Sequence, residues 1–222
     1  MDDADAKKEA VRQGLAAERD PHAGVFRYSM IGGEVTLVFG VDASHDSKNM
    51  AQTPAWRGGF ALVYRDPRSG ELVEKWWRVP RMYTVNMGEL AAIVQALEEA
   101  IAIVEQLRPV RTVVKVFTDS TTAIKYLEDV QAIYGRPAFK SSHVLALVRA
   151  AVWMSHRLVE LGASVELRWV PRKSTDLVLR ADRKARLWSK NHMRGTGMMP
   201  EGSSVFEKVD AQTSAAIAGR LV

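Results

Sequence analysis

The chain contains no cysteine, which excludes disulfide bonds and metal sites built on thiolates. It has no run of apolar residues long enough to span a bilayer. The first ten residues, MDDADAKKEA, are charged and lack the apolar centre of a secretory signal peptide. We therefore expect an intracellular protein, cytoplasmic or nuclear, that is neither secreted nor bound to a membrane.

Size and charge are compatible with one domain and with a negatively charged partner. The 222 residues are 47% apolar, which is enough for one core of ordinary size. The net charge of +5 and the pI of about 9.5 permit a polyanionic partner without requiring one. We predict a loosely ordered N-terminal extension over residues 1–34, a domain over 35–192 and a C-terminal tail over 193–222. Residues 205–221 form either a short amphipathic helix or part of that tail.

The most strand-like run of the chain ends in an acidic residue. Residues 113–122 read VVKVFTDSTT, a β-branched apolar run followed by four polar residues that include Asp119. In open α/β sheets, ligands bind just beyond the carboxyl ends of the strands, which makes Asp119 a candidate site residue. Asp is also a favoured N-cap, and Asp119 taken alone fits a cap of the next helix better.

The remaining patterns predict the order β-β-β-α-β-α-α-β-α. A short turn joins the second and third strands, which indicates an antiparallel meander. Apolar residues then recur at helical spacing between Asn86 and Pro109. A strand, a helix and a strand imply a crossover, so the fourth strand is expected to run parallel to an earlier one. The predicted strands cover 35–43, 58–64, 72–79, 112–118 and 164–170, and the later helices cover 121–129, 142–161 and 178–190.

Four acidic residues stand out by their placement on these elements. Asp42 ends the first strand, Glu89 lies in the first turn of the long helix, Asp119 ends the fourth strand, and Asp182 lies early in the last helix. If the first and fourth strands are parallel neighbours, these side chains meet at one edge of the sheet. Such a cluster is costly unless cations hold it together. Oxygen-only ligands favour hard ions, Mg²⁺ or Mn²⁺.

The motifs around these acids resemble those of type 1 ribonucleases H and of the ribonuclease H domains of reverse transcriptases. GVDAS contains Asp42, TVNMGELAAIVQALEEAI contains Glu89, and FTDSTTAI contains Asp119. LRWVPRKS followed by ADRKARL resembles the family's WV loop and its last Asp, here Asp182. RGGFALVY resembles the glycine-rich opening of the family's second strand. The resemblance covers about residues 35–190, and it rests on the order of the motifs rather than on any one of them.

The resemblance implies an α/β, ribonuclease H-like fold, with a five-stranded mixed sheet flanked by helices. The first three strands would be antiparallel, and the fourth and fifth parallel. It also implies an endonuclease that hydrolyses the RNA strand of RNA–DNA hybrids with two Mg²⁺ or Mn²⁺ ions. Asp42 would bridge both ions, and Glu89, Asp119 and Asp182 would complete their ligands. Asn86 would contact 2′-hydroxyl groups. The other candidates for hybrid binding are Thr84, Ser120, Arg172 and Lys173.

Three departures from the family pattern leave alternatives open. Lys173 stands where the family usually has a histidine, and lysine, with a reference pKa of about 10.4, is a poorer proton shuttle. Val178 stands where an asparagine is common, and residues 128–141 are too short for the basic insertion of some members. The alternatives are a catalytically weak or inactive nucleic-acid-binding domain and a mobile-element-derived module that binds proteins. The basic residues that either grip nucleic acid or form a solvated helix face are Arg172, Lys173, Arg180, Arg183, Lys184, Arg186, Lys190 and Arg194.

Overall fold

The structure, a computed structural model, describes residues 34–45, 58–79, 82, 84–128 and 142–190. Its strands are β1 (Glu34–His45), β2 (Gly58–Arg65), β3 (Leu72–Val79), β4 (Arg111–Thr118) and β5 (Ala163–Trp169). Its helices are α1 (Val85–Leu107), α2 (Thr121–Glu128), α3 (Ser142–Glu160) and α4 (Asp176–Lys190). Of these described helices, none combines the length and apolar character needed to cross a membrane. The predicted extension (except Glu34) and tail lie outside the described residues.

The five strands form one mixed sheet in the order β3-β2-β1-β4-β5. β1 pairs antiparallel with β2, and β2 pairs antiparallel with β3, which confirms the predicted meander. β1 pairs parallel with β4, and β4 pairs parallel with β5. The parallel pairs follow from the helical crossovers, because a parallel neighbour can be reached only by a long connection. The sheet therefore has the predicted topology, and β1 and β4 lie side by side.

Side chains of β1 point alternately to the two faces of the sheet, and both faces are packed against helices. Phe39 and Val41 belong to the main core, which α1 and α3 cover. Val38 lies on the opposite face, where it packs with Val178 of α4. Asp42 has the same parity as Val38, so its side chain belongs to the face that α4 covers. Helices from both sides can therefore bring residues to the end of β1.

Two glycines allow α1 and α4 to approach β1 closely. A Cβ on Gly88 of α1 would lie 2.7 Å from the Cβ of Ala43, the residue after Asp42. A Cβ on Gly40 of β1 would lie 2.5 Å from the carbonyl carbon of Leu177 and 2.7 Å from the amide nitrogen of Val178. All three distances are shorter than real Cβ contacts, so a larger residue at either position would force the elements apart.

The long helix α1 begins at Val85, whereas the sequence placed its start after Asn86. Thr84 is its N-cap, and its hydroxyl oxygen accepts a hydrogen bond from Met87 N at 3.3 Å. Asn86 is the second helical residue, and Glu89 lies one turn into the helix. The prediction that Glu89 lies in the first turn is wrong, because the threonine cap moves the helix start towards the N-terminus.

The last helix, α4, also begins earlier than predicted. The Thr175 hydroxyl accepts a hydrogen bond from Val178 N at 3.3 Å, and the helix starts at Asp176. Asp182 therefore lies near the middle of α4, which corrects its predicted place early in the helix. The end of α3 agrees with prediction, since Gly162 follows it with a φ of 82°.

Candidate metal centre

Strand register places two of the four acids opposite each other. The last residues of the β1–β4 pairing are Gly40 and Phe117, which face one another across the parallel ladder. Two residues further along each strand stand Asp42 and Asp119. Neighbouring strands lie about 4.8 Å apart, and residues two apart point to the same face. The register therefore brings both carboxylates to one side of the sheet, at its edge.

Glu89 joins this pair from α1. The carboxylate oxygens of Asp42, Glu89 and Asp119 include a set that lies within 4.8 Å of one another. The backbone N–H of Ala43 donates to Asp42 Oδ1 at 2.8 Å and to Glu89 Oε1 at 3.3 Å. One amide thus fixes the orientation of two carboxyl groups, one on β1 and one on α1.

Two oxygens of this cluster are buried without a hydrogen-bond partner. Asp42 is 3% exposed and Glu89 is 5% exposed. Asp42 Oδ2 and Glu89 Oε2 accept no hydrogen bond from any residue that the structure describes. A buried acceptor without a partner costs free energy, whereas a divalent cation bound to carboxylate oxygens removes that cost. The donor set, which consists only of carboxylate oxygens, fits Mg²⁺ or Mn²⁺.

The electrostatics of the site follow from burial and mutual repulsion. Burial, with the charge of Asp119, raises the pKa of Asp42 to about 7. Burial and the negative charge of Asp42 raise the pKa of Glu89 well above its usual range. Burial also raises the pKa of Asp119, although the Arg172 guanidinium opposes that shift. A bound cation would reverse these shifts, because it favours the ionised carboxylates.

Asp182 reaches the cluster from α4, beside Asp42, and its negative charge adds to the rise of the Asp42 pKa. Although burial opposes the shift, the neighbouring Asp42 side chain and the Arg186 guanidinium lower the pKa of Asp182. Arg186 Nε donates to Asp182 Oδ1 at 2.7 Å, an ion pair one helical turn apart. All four predicted acids are thus brought together at one edge of the sheet.

Arg172 forms ion pairs with two of the acids. Its Nη2 lies 3.5 Å from Asp182 Oδ1, and its Nε lies 3.8 Å from Asp119 Oδ2. The Arg172 side chain is 62% exposed, whereas those of Asp182 and Asp119 are 6% and 14% exposed. The guanidinium therefore covers the outer side of the cluster, between β4 and α4.

Neighbouring residues hold the backbone on both sides of Asp119. Trp169 Nε1 donates to the carbonyl oxygen of Asp119 at 3.0 Å. The Ser120 hydroxyl oxygen accepts a hydrogen bond from Ala123 N at 3.2 Å, which makes Ser120 the cap of α2. The alternative that Asp119 caps this helix is therefore wrong. The Asp119 carboxylate is left to face the site.

The remaining predicted contact residues lie around the rim. Thr84 is exposed at the start of α1, and Asn86 is half-buried three residues before Glu89, on the same helical face. Lys173 is exposed in the turn between Pro171 and Ser174, with a φ of 62°. Val178, which stands at the family's asparagine position, is fully buried beside Val38 and so supports the core.

Sequence reasoning missed several residues that position the acids. These are the Ala43 amide, the glycines at 40 and 88, and the Trp169 indole. The two glycines could have been recognised from the sequence, because a glycine close to a site acid often marks a place where two backbones approach closely. The spacing of Asp182 and Arg186 predicts an ion pair on a helix, although their distance from the other acids could not be read from spacing.

No protein-family model matches the chain, and no curated protein matches it. Among solved structures, LC9-RNase H1, a type 1 RNase H with the type 2 active-site motif, is 21% identical, with a TM-score of 0.50 over 82% of this chain and 85% of that chain. The N-terminal RNase H domain of a Mycobacterium tuberculosis protein is 18% identical, with a TM-score of 0.47 over 70% and 94%. The match to LC9-RNase H1 shows that this chain has the ribonuclease H-like fold.

Proposed function

We propose that this protein is a divalent-metal-dependent endonuclease that hydrolyses the RNA strand of RNA–DNA hybrids. The observation that carries the proposal is the convergence of Asp42, Glu89, Asp119 and Asp182 at one sheet edge, with two buried oxygens that accept no hydrogen bond from the described part of the chain. The fold supports the same reading, since LC9-RNase H1 is a type 1 RNase H. The order of the four motifs in the sequence supports it independently.

The four acids divide into two groups that would hold two cations. Asp42, Glu89 and Asp119 would hold one ion, because their oxygens already lie within 4.8 Å of one another. Asp42 and Asp182 would hold the second, since Asp182 lies beside Asp42. When bound, such cations supply positive charge beside the scissile phosphate and lower the pKa of a nearby water. Asp42 is the residue common to both groups.

The protein's own residues orient these ligands and the substrate. The Ala43 N–H holds the carboxyl groups of Asp42 and Glu89 in place, so they need no reorganisation when a cation binds. Thr84 and Asn86, at the start of α1, would contact the sugar–phosphate backbone and 2′-hydroxyl groups of the RNA strand. Contacts of this kind distinguish RNA from DNA without reading its sequence. Arg172 and Lys173 would contact phosphate groups.

A second candidate is a nucleic-acid-binding domain with little or no catalytic activity. It is favoured by the ion pairs of Asp182 with Arg186 and Arg172, which neutralise one of the four acids. It is also favoured by Lys173, which cannot shuttle protons as the family's histidine would. Tight, salt-dependent hybrid binding without strand cleavage would distinguish this candidate from an enzyme.

Cleavage of a labelled hybrid in Mn²⁺ tests the proposal directly. The wild-type protein should cut the RNA strand of an RNA–DNA hybrid and leave duplex DNA and single-stranded RNA intact. Asp42→Asn should reduce the rate at least about 100-fold, because it removes a ligand of both cations. Mg²⁺ should replace Mn²⁺, and EDTA should stop the reaction.

A matched control separates the site from general charge effects. Asp176→Asn changes an exposed carboxylate on the same helix as Asp182, where it pairs with Arg180 at 2.7 Å. This variant should cleave at the wild-type rate. Equal residual activity in wild type and Asp42→Asn would indicate a contaminating nuclease. Absence of cleavage in both proteins, with retained hybrid binding, would establish the second candidate.

A further inference from the structure

Arg172 is the most exposed cation in contact with the acidic cluster, and its contacts differ from those of Arg186. Arg186 lies on α4 and makes one short ion pair, at 2.7 Å, with Asp182 in the turn before it. Arg172 lies in the turn after β5 and spans Asp119 of one element and Asp182 of another, at 3.8 and 3.5 Å. Its side chain is 62% exposed, compared with 37% for Arg186. Of these two arginines, Arg172 is therefore held more weakly by the acids.

The turn that carries Arg172 holds its backbone in a defined position. Ser174 N donates to Pro171 O at 3.0 Å, which closes a four-residue turn with Arg172 and Lys173 at its centre. Lys173 has a φ of 62°, a conformation that is strained for a residue with a side chain. Such backbone strain is typical of functional loops. The turn thus directs the guanidinium at the acids, while the Arg172 side chain itself is largely exposed to solvent.

We infer that Arg172 is an internal counter-cation, which a divalent ion displaces from Asp119 and Asp182 and which then contacts a phosphate of the bound nucleic acid. This inference rests on the proposed function for the identity of the nucleic acid. One positive charge on an exposed side chain cannot satisfy Asp119 and Asp182 as well as two divalent ions that each also bind Asp42. Once displaced, a planar guanidinium at the mouth of the site suits bidentate binding of a phosphate. The same residue would therefore link cation binding to substrate binding.

The first measurement is the affinity of the full-length protein for Mn²⁺ without nucleic acid. Free Mn²⁺ is detected by its electron paramagnetic resonance signal. Arg172→Ala should bind Mn²⁺ about three- to tenfold more tightly, because the ion no longer competes with a guanidinium. Arg172→Lys should stay within about threefold of wild type, since it keeps the charge. Arg180→Ala is the control, because Arg180 pairs with Asp176 and Glu74 on α4 and β3. Unchanged or weaker binding by Arg172→Ala would overturn the inference.

The second measurement is the salt dependence of hybrid binding, by fluorescence anisotropy, in EDTA and in Ca²⁺. With Ca²⁺, Arg172→Ala should lower the slope of log K against log salt by about 1, which is the loss of one phosphate contact. In EDTA the slopes of wild type and variant should agree. An equal decrease of the slope in EDTA and in Ca²⁺ would overturn the proposed displacement of Arg172, because its phosphate contact would then not depend on the cation.

The two hypotheses fail in different ways. If the wild type binds Mn²⁺ and cleaves the hybrid but Arg172→Ala behaves like Arg180→Ala, only the inference on Arg172 is wrong. If Arg172→Ala binds Mn²⁺ more tightly but no protein cleaves the hybrid, the counter-cation role stands and the proposed enzymatic function does not. If the wild type binds no Mn²⁺, both are wrong.

Discussion

Replacing Asp42 with asparagine should stabilise the protein at pH 8 in EDTA, because it removes a buried negative charge. Burial, with the charge of Asp119, raises the pKa of Asp42 in the folded protein to about 7. In the unfolded chain the pKa is about 3.9, so the folded state binds this proton more tightly. The contribution of Asp42 to stability is therefore full below pH 4 and is lost as the pH rises through 7.

The size of the effect follows from the difference between the two pKa values. Three pKa units correspond to about 4 kcal/mol of stability that the ionised Asp42 removes at pH 8. Asparagine retains an oxygen for the Ala43 N–H, and its amide N–H can donate to Asp182. We therefore expect Asp42→Asn to raise the free energy of unfolding by about 2–4 kcal/mol. For a domain of this size, the melting temperature should rise by about 5–15 °C.

Thermal unfolding followed by circular dichroism, at pH 5 and pH 8 in EDTA, measures this gain. At pH 5 it should shrink to about 1–2 kcal/mol, since Asp42 is then largely protonated in the folded state. Asp176→Asn is the control, and it should show no gain because Asp176 is exposed and paired with Arg180. Mn²⁺ should stabilise the wild type more than the variant. A loss of stability at pH 8, or an equal gain at both pH values, would refute the reasoning.

Three further substitutions test how the site is positioned. Gly88→Ala should lower the free energy of unfolding by about 1–3 kcal/mol, because its Cβ would meet the Cβ of Ala43 at 2.7 Å; an unchanged urea midpoint would contradict this. Lys173→Gly should be more stable than Lys173→Ala by about 1 kcal/mol, since only glycine adopts a φ of 62° without strain; equal melting temperatures would refute it. Trp169→Phe should cost about 1 kcal/mol and weaken Mn²⁺ binding, because the Asp119 carbonyl loses its indole donor; retained affinity in a calorimetric titration would argue against this role.

The topology of the sheet was predictable because it depends on local patterns. Apolar alternation located β1, and a helix between two strands required β4 to be parallel to an earlier strand. Asp42 and Asp119 then fell at the same edge, as predicted, because each follows the last paired residues of a parallel ladder. The catalytic role of these acids stays a prediction.

Features that depend on side-chain geometry between distant elements could not be predicted in this way. The helix starts were misplaced because the caps that Thr84 and Thr175 provide lie before the first apolar residues of each helical pattern. Ser120, and not Asp119, caps α2. Both are polar and adjacent, so their spacing in the sequence does not show which of them is the cap. The bridge that Arg172 makes between Asp119 and Asp182 depends on a turn conformation that lysine rarely adopts.

The pairing of Gly40 with Phe117 limits where residues can be inserted into this chain or deleted from it. Deleting one residue within β4 would leave every acid in the sequence but would rotate the Asp119 side chain to the opposite side of the sheet. The meeting of the acidic side chains therefore depends on the register of β1 and β4 as much as on the identity of the residues. Insertions and deletions should be tolerated where the strands are not paired, and a shift of two residues should harm the site less than a shift of one.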